Sequence, residues 1–274
     1  MIKDKRILIT GGAGSIGSEL VRQLAKDNKV FVIDINESGF FDIQQETGCF
    51  GRVGDVKNEK TCFDIFSDFK PQMVFHAAAY KHVPLMEKYP IEAIQTNVIG
   101  TWNVIEEAKK WECLERFVFI STDKAVQSNS IMGGTKRLGE IMTKNQGEGF
   151  VVVRFGNVLG SRGSVIKIWE RQIEKDLPIT VTDEKMERYL MTIEEACSLV
   201  IGAAEEGEGG EIFVLDMGKP VKILDLAKKI AEQYRKDIPI EMIGIRPGEL
   251  LSEKLMFDEE EKVAIKQNKY WIIK

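Results

Sequence analysis

The part of the chain with the clearest capacity for chemistry reads STDKAVQSNSIMGGTKR and follows an apolar run, RFVFI, that is typical of a buried strand. Thr122, Asp123 and Lys124 should lie at the carboxyl end of that strand, where open α/β sheets bind ligands. On the helix predicted to follow, Met132 and Lys136 are four residues apart and share one face. The spacing predicts a cleft in which a hydroxyl, a carboxylate and two amines meet. The alternative is that Asp123 caps a turn and Lys124 is an ordinary solvated lysine.

Composition limits the classes of protein to which the chain can belong. The sequence has 274 residues, 43% of them hydrophobic and 30% charged, which suits a soluble globular protein. A net charge of −5 with no long basic run argues against nucleic acid or an anionic membrane as partner. The four cysteines are far apart without a CxxC pair, which predicts reduced thiols and no metal site. No apolar run reaches the ~20 residues of a membrane-spanning helix, and the N-terminal run is too short for a signal peptide, so we expect a cytoplasmic protein.

The order of predicted elements is typical of an α/β fold with a doubly wound parallel sheet of the Rossmann type. Residues 6–34 read as strand, glycine turn, helix and strand. Further strands are predicted at residues 52–54, 72–76, 116–120, 151–155 and 240–243, and further helices at residues 58–66, 90–110, 130–145, 192–204 and 223–235. Residues 36–49 and 257–274 have no clear pattern, and the latter receive no function.

Two units follow from this order. We assign residues 1–155 to a dinucleotide-binding domain. Residues 156–274, where the elements become shorter, are assigned mainly to a smaller substrate-binding lobe, with elements that return to the first domain.

The loop after the first strand is rich in glycine. It reads GGAGSIG, so that Gly11, Gly14 and Gly17 are three residues apart and Ser15 and Ile16 begin the helix. Small residues let the backbone approach a pyrophosphate, and the helix N-terminus offers its free N–H groups to that anion. The loop, placed between a strand and a helix, therefore predicts a dinucleotide site.

Residues at the tips of later strands extend the predicted site. Asp34 ends the second strand, where a carboxylate binds ribose hydroxyls and repels a 2′-phosphate, so NAD is favoured over NADP. Asp55 and Val56 are candidates to contact adenine, although Asp55 is equally suited to cap the next helix. His76 is expected to be packed rather than catalytic. The small residues that would let a flat ligand pass over the backbone are Ala77, Ala78 and Ala79, and Asn97 is either structural or cofactor-positioning.

The motifs TGGAGSIGSEL, HAAAYKHVPLME, STDKAV, MGGTKR, RFGNVLGSRGSV and RPGE occur in the order seen in extended short-chain dehydrogenases/reductases. The chain resembles, more narrowly, the UDP-N-acetylglucosamine 4,6-dehydratases of capsule and flagellin glycosylation, over residues 6–256. The resemblance implies NAD or NADP as cofactor and a UDP-N-acetylhexosamine as substrate, converted to a 4-keto-6-deoxy sugar nucleotide.

The resemblance also implies roles for the central stretch. Short-chain dehydrogenases use a Tyr-x-x-x-Lys pair, of which this chain keeps Lys136 to bind the nicotinamide ribose but has Met132 at the tyrosine position. A thioether cannot exchange a proton at neutral pH. Elimination of water across C5 and C6 of the sugar would then use Lys124 as base and Asp123 as acid, with Thr122 hydrogen-bonded to the C4 oxygen.

Substrate contacts are expected from seven further residues, on the strength of the same resemblance: Lys81, Asn157, Ser164, Val165, Arg188, Arg246 and Glu249. Apolar faces on the helices predicted at residues 90–110 and 130–145 indicate a homo-oligomer. Two rival functions stay open. One is a UDP-hexose 4-epimerase, which normally needs the missing tyrosine, and the other is a dinucleotide sensor in which Met132 marks lost catalysis.

Overall fold

The computed structural model describes residues 1–234 and 238–274 of the chain. Its first part alternates strands and helices. These elements are β1 (Arg6–Thr10), α1 (Ser15–Leu24), β2 (Lys29–Asp34), α2 (Glu37–Thr47), β3 (Phe50–Val53), α3 (Glu59–Phe69), β4 (Met73–His76), α4 (Val83–Lys88), α5 (Pro90–Ile94), α6 (Thr101–Lys109), β5 (Arg116–Ile120), α7 (Ile131–Lys144) and β6 (Phe150–Arg154).

The second part contains shorter elements and ends on two strands. Its elements are β7 (Asn157–Val158), α8 (Val165–Glu174), β8 (Ile179–Val181), β9 (Glu187–Arg188), β10 (Leu190–Met191), α9 (Ile193–Glu206), β11 (Ile212–Leu215), β12 (Val221–Lys222), α10 (Ile223–Gln233), β13 (Ile240–Met242), α11 (Asp258–Val263), β14 (Ile265–Gln267) and β15 (Tyr270–Ile273). The helix predicted at residues 223–235 is present as α10, and its predicted last residue lies outside the described residues.

Nine of the described strands form one large sheet in the order β14-β15-β11-β6-β5-β4-β1-β2-β3. Pairing is parallel from β3 to β11, while β15 is antiparallel to both β11 and β14. Alternate residues of β1 point to opposite faces, so that Ile7 and Ile9 pack with α1 and α9 while Leu8 packs with α3 and α6. The predicted Rossmann-type fold is confirmed, and β5 lies near the centre of the sheet with its carboxyl end at the ligand-binding edge.

Three expectations about elements are corrected. The helix predicted at residues 90–110 is interrupted by a π-helical segment, Gln95–Gly100, between α5 and α6. Residues 36–49, which had no clear pattern, contain α2, whose N-cap Asn36 accepts a hydrogen bond from the Gly39 amide at 3.1 Å. The last residues are not irregular, because β14 and β15 extend the large sheet.

The smaller lobe has its own apolar cluster around Trp169, whose indole donates a hydrogen bond to the Thr180 carbonyl at 2.8 Å. Three short two-stranded sheets, β7 with β10, β8 with β13 and β9 with β12, lie outside the large sheet. Since β11, β14 and β15 follow residue 155 but belong to the large sheet, the lobe is built from segments on both sides of β11, with α8 and β8 before it and α10 after it. The division at residue 155 stays a prediction.

Among residues 1–234 and 238–274, no helix is long and apolar enough to cross a membrane.

Candidate active site

The glycine loop between β1 and α1 lies directly against the chain after β4. Gly11 has a φ of +68°, and a Cβ atom there would be 2.7 Å from Ala78 Cα. The N-cap of α1 is Gly14, so no side chain occupies the free N–H groups of the first turn. Backbone approach and an open helix N-terminus are the two features that a pyrophosphate requires, and both are present here.

A cavity of ≈180 Å³ opens beside this loop. Its lining includes most of the predicted cofactor-binding residues, namely Gly11, Gly14, Asp34, Asp55, Val56, Ala77, Ala78 and Ala79. The Asp34 carboxylate accepts hydrogen bonds from the amides of Ala13 at 2.8 Å and Asn36 at 2.9 Å, which fix it at the cavity. A flat ligand with ribose hydroxyls fits these surroundings.

Other predicted cofactor-binding residues have supporting positions. Ile16 packs against the hydrophobic core, and Gly17 lies so close to the Gly11 carbonyl that no side chain could be accommodated. The Ser15 hydroxyl accepts a hydrogen bond from the Arg162 amide at 2.9 Å. Arg162 also lines the cavity and was not predicted, because arginine in a glycine-rich loop gives no sequence signal.

Asp55 does not cap α3. Its carboxylate accepts a hydrogen bond from the Lys57 amide at 2.9 Å, and the α3 cap is Asn58, which accepts from the Thr61 amide at 2.9 Å. The predicted role of Asp55 as a helix cap is therefore absent, and its predicted position at the cofactor cavity remains.

His76 and Asn97 hold the floor of the site. The His76 ring lies 2.7 Å from Thr10 Oγ1 and 2.9 Å from Thr101 Oγ1, and burial, with Lys136 adding to it, lowers its pKa to about 3. Asn97, in the π-helical segment, accepts from the Tyr80 amide and donates to the Tyr80 carbonyl at 3.0 Å. Asn97 thus fixes the chain that follows the alanines, which is a positioning role.

The side chains at the end of β5 converge as expected and form the chemical centre of the site. Lys124 Nζ donates to Asp123 Oδ1 at 3.1 Å and to Asn157 Oδ1 at 2.8 Å, and it lies 3.1 Å from Glu253 Oε1. The Thr122 hydroxyl donates to Asp123 Oδ1 at 2.9 Å. Asp123 is fully buried, and its Oδ2 has no hydrogen-bond partner among the described residues. The alternative of a solvated Lys124 is excluded, since only 23% of its side chain is exposed.

The protonation states of Asp123 and Lys124 depend on burial and on the neighbouring groups of the same cluster. Burial raises the pKa of the Asp123 carboxyl, but the Lys124 ammonium, a hydrogen bond with Glu253 and the Thr122 hydroxyl outweigh it and lower the pKa below its ordinary value. Burial lowers the pKa of Lys124, yet Asp123 and Glu253 more than compensate and raise it. Without a ligand, therefore, Lys124 is an ammonium and Asp123 a carboxylate, the reverse of the base and acid forms expected from the resemblance.

Glu253 is the residue of this cluster that sequence reasoning missed. Burial raises its pKa to about 7, and Asp123 adds to the rise while Lys124 and Arg188 oppose it. It lies 129 residues from Lys124 in the chain, so no local pattern connects the two.

Met132 and Lys136 share the buried face of α7. Met132 is 3% exposed and packs with Val83, Met86 and Ala93. The Lys136 ammonium lies 4.0 Å from the centroid of the Phe119 ring, and burial lowers its pKa to about 7 against the opposing effect of Glu140. No group that exchanges protons at neutral pH stands at the Met132 position.

Among the predicted substrate-binding residues, Lys81 and Asn157 lie beside the cluster. Lys81 Nζ is 3.5 Å from Ser161 Oγ, and burial, with Lys124 and Arg162 nearby, lowers its pKa. Ser164 precedes α8 with a buried hydroxyl that has no partner among the described residues, while Val165 packs in the lobe.

The two predicted arginines differ. Arg188 is 8% exposed on its side chain and donates to the carbonyls of Leu250 and Leu251 at 2.8 and 3.1 Å, with Glu253 3.3 Å from its Nε. The guanidinium of Arg188 is engaged by protein oxygens, and the expected phosphate contact stays a prediction. Arg246 is 49% exposed at the surface of the lobe and pairs with Glu249, of whose side chain only 12% is exposed.

A buried ion network lies beneath the cluster. Arg154 donates to Glu140 from Nε at 2.8 Å and to Glu260 from Nη1 at 2.6 Å, and Glu140 also accepts from the Ser121 hydroxyl at 2.7 Å. Arg154 and Glu140 are fully buried. The network joins the end of β5, α7, β6 and α11, and so fixes the strand tip that carries Thr122.

The fold and the cavity define an extended short-chain dehydrogenase/reductase. Residues 7–274 match the family model described as "Polysaccharide biosynthesis protein", and the chain belongs to that family. It is 48% identical, over 94% of its length, to the capsular polysaccharide biosynthesis protein CapD of Staphylococcus aureus, of which it spans 46%, about half.

Two solved structures are similar to the chain. Pen from Bacillus thuringiensis is 36% identical, with a TM-score of 0.92 over 99% of this chain and 88% of that one. The UDP-glucose 4-epimerase of Thermus thermophilus in complex with NAD is 25% identical, with a TM-score of 0.81 over 90% of this chain and 89% of that one. The predicted family resemblance is confirmed.

Proposed function

We propose that the protein is an NAD(P)-dependent nucleotide-sugar enzyme that removes water from a UDP-N-acetylhexosamine to give a 4-keto-6-deoxy sugar nucleotide for surface polysaccharide or glycoprotein synthesis. The observation that carries the proposal is the contact of Lys124 with Asp123 at the end of β5, combined with a buried methionine at position 132. Acid and base groups are present, and the tyrosine on which simple hydride chemistry depends is not.

The cavity beside the glycine loop supports NAD as cofactor. A Cβ at Gly11 would collide with the backbone of Ala77 and Ala78, so only glycine lets the loop lie this close to the chain after β4. The α1 N-terminus would face the pyrophosphate, and Asp34 stands where the adenosine ribose would lie. A similar solved structure holds NAD. NAD, when bound, would supply reversible hydride transfer for oxidation at C4 of the sugar and reduction at C6. Lys136, buried on α7, would contact the nicotinamide ribose.

The residues at the end of β5 supply the proton transfers. Oxidation at C4 makes the C5 proton acidic, and Lys124 would remove it while Asp123 protonates the leaving C6 hydroxyl. The Thr122 hydroxyl would hydrogen-bond the C4 oxygen. Because Lys124 is protonated and Asp123 ionised in the free protein, a proton must leave Lys124 before the elimination.

Contacts to the nucleotide sugar are proposed for the residues around this centre. Lys81 and Asn157 lie close enough to Lys124 to reach the sugar or its diphosphate. Arg246 and Glu249, on the lobe, would bind phosphate and ribose. Arg188 would support the loop that carries Glu253.

A UDP-hexose 4-epimerase is the second candidate, because the Thermus thermophilus structure has that title and a similar fold. Incubation of the NAD-loaded protein with UDP-N-acetylglucosamine, followed by chromatographic separation of the sugar nucleotides and mass spectrometry, separates the candidates. Loss of one water is expected for the dehydratase, and an isomer of unchanged mass would identify an epimerase. Unchanged sugar with NAD bound would identify a sensor.

Replacing Asp34 by asparagine is expected to reduce the preference for NAD over NADP about tenfold or more. NAD loses a hydrogen bond between a charged carboxylate and its ribose, and NADP is no longer repelled through its 2′-phosphate. The amide oxygen can still accept from the Ala13 amide, so the loop should stay intact. Affinities measured by calorimetry for both nucleotides test this. Asp42→Asn, on the exposed side of α2, is the matched control. An unchanged NAD to NADP ratio in Asp34→Asn would contradict the assignment.

A homo-oligomer is proposed on the exposed apolar side chains of the neighbouring helices α5, α6 and α7. These side chains include Ile91 (61% exposed), Trp102 (44%) and Leu138 (50%). Leu138→Glu is expected to convert the oligomer into a monomer in light scattering coupled to gel filtration. The control is Leu177→Glu, which places the same charge on an equally exposed leucine of the lobe. A monomeric wild-type protein at micromolar concentration would reject the proposal.

A further inference from the structure

Glu253 lies in the loop before α11, and only 5% of its side chain is exposed. Its Oε1 is 3.1 Å from Lys124 Nζ and 3.3 Å from Arg188 Nε. Arg188 also donates to the carbonyls of Leu250 and Leu251, so the guanidinium holds both the loop and the carboxylate in place. Glu253 is therefore held in contact with the Lys124 amine, which is the base in the proposed function.

Lys124 starts with all its N–H donors in use. Its ammonium contacts Asp123 Oδ1, Asn157 Oδ1 and Glu253, and an ammonium has three donors and no lone pair with which to take a proton. One proton must leave Nζ for Lys124 to become a base. An amide oxygen does not take a proton near neutral pH, so the two carboxyl groups are the acceptors within reach.

We propose that Glu253 accepts the ammonium proton of Lys124 and thereby turns Lys124 into the base of the elimination. The proton then belongs to the carboxyl pair of Asp123 and Glu253, and Asp123 passes one proton to the leaving hydroxyl. Glu253 does not touch the substrate in this scheme. It is a positioning residue that acts through Lys124 and Asp123, because it sets their protonation states. The inference rests on the proposed function.

The step balances without a further reactant. The C5–H bond breaks and its proton goes to Lys124 Nζ, while its electron pair forms the C5–C6 double bond. The C6–O bond breaks as the oxygen takes the carboxyl proton and leaves as water. The site is left with one ammonium and two carboxylates, which is the state in which it began.

The surroundings favour Glu253 over Asp123 as the acceptor. The charged groups that face Glu253 are Asp123 and Lys124 from the end of β5 and Arg188 from β9. Burial, with the neighbouring Asp123 carboxylate, raises the pKa of Glu253 to about 7. The pKa of Asp123 is lowered against the effect of burial by Lys124, by a hydrogen bond from Glu253 itself and by Thr122. A proton leaving Lys124 is therefore held more strongly by Glu253.

The test compares Glu253→Gln with wild type over a range of pH. Below a pH of about 7 Glu253 is already protonated and cannot accept, so the wild-type kcat/KM should fall as the pH falls through that value. In Glu253→Gln this acidic limb should disappear and kcat should fall at least about tenfold, with KM changed less than about threefold. Glu253→Asp should restore the limb, and Glu259→Gln, an exposed neighbour on α11, should behave as wild type.

An unchanged acidic limb and kcat in Glu253→Gln would overturn the inference, while a wild type that removes no water would reject the proposed function instead. A second measurement needs no substrate. In protein labelled with ¹³C at the glutamate carboxyl, the resonance that Glu253→Gln removes should titrate near pH 7. Titration of that resonance below about pH 5, as for an ordinary glutamate, would overturn the inference whatever the substrate.

Discussion

Replacing Lys124 by alanine is expected to lower kcat for dehydration by about 10²- to 10⁴-fold, which is the usual contribution of a general base. NAD binding should be unaffected, because the cavity beside the glycine loop does not include Lys124. Steady-state assay of the 4-keto product, with calorimetry for NAD, measures the two effects separately.

The Lys124→Arg variant distinguishes a role of Lys124 as general base from a purely electrostatic role of its positive charge. Arginine keeps the positive charge near Asp123 and Glu253 but does not lose its proton in proteins. We expect Lys124→Arg to be as inactive as Lys124→Ala. Substantial activity in the arginine variant would mean that Lys124 acts electrostatically, and full activity in the alanine variant would remove it from the mechanism. Lys228→Ala, on the exposed face of α10, is the matched control.

Replacing Arg154 by methionine is expected to lower the free energy of unfolding by about 3–5 kcal/mol, because two carboxylates lose their partner in a buried place. Arg154 is fully buried and bonded to both Glu140 and Glu260. The same change at Arg22, whose side chain is 42% exposed in its pair with Glu46, should cost less than about 1 kcal/mol. Denaturant unfolding of both variants gives the comparison.

The effect of Arg154→Met should depend on pH. Burial raises the pKa of Glu140, but Arg154, Ser121 and Arg137 outweigh it and lower the pKa below the ordinary 4.5. A carboxyl whose pKa is lower in the folded than in the unfolded state stabilises the fold when the pH is above its unfolded-state pKa. That contribution is lost as the pH falls through the folded-state pKa. The difference between wild type and variant should therefore shrink below pH 4.5. Equal losses of stability in Arg154→Met and Arg22→Met would contradict the network's role.

The parts of the site that were predictable from sequence are those encoded within a few residues. The strand, GGAGSIG and helix adjoin in the chain, and so do RFVFI and Thr122, Asp123 and Lys124. Such patterns fix both the local structure and the edge of the sheet to which it contributes. Asn157 was found because it belongs to a motif rather than to a periodic pattern.

The remaining parts depend on contacts between distant segments. Glu253 reaches Lys124 across 129 residues, and the occupied fork of Arg188 depends on carbonyls more than 60 residues away. The π-helical segment Gln95–Gly100 was missed because one widened turn hardly changes the apolar spacing of a long helix. The sequence alone does not show whether a charged side chain will pair with another group of the folded protein or with a ligand.

Elimination of water with proton exchange at C5 is the central claim, and incubation of the NAD-loaded protein with UDP-N-acetylglucosamine in D₂O tests it most directly. After return to H₂O, mass spectrometry should find a sugar nucleotide that has lost one water and gained one carbon-bound deuterium, and Lys124→Ala should yield neither change. A sugar nucleotide of unchanged mass without carbon-bound deuterium would contradict the dehydratase.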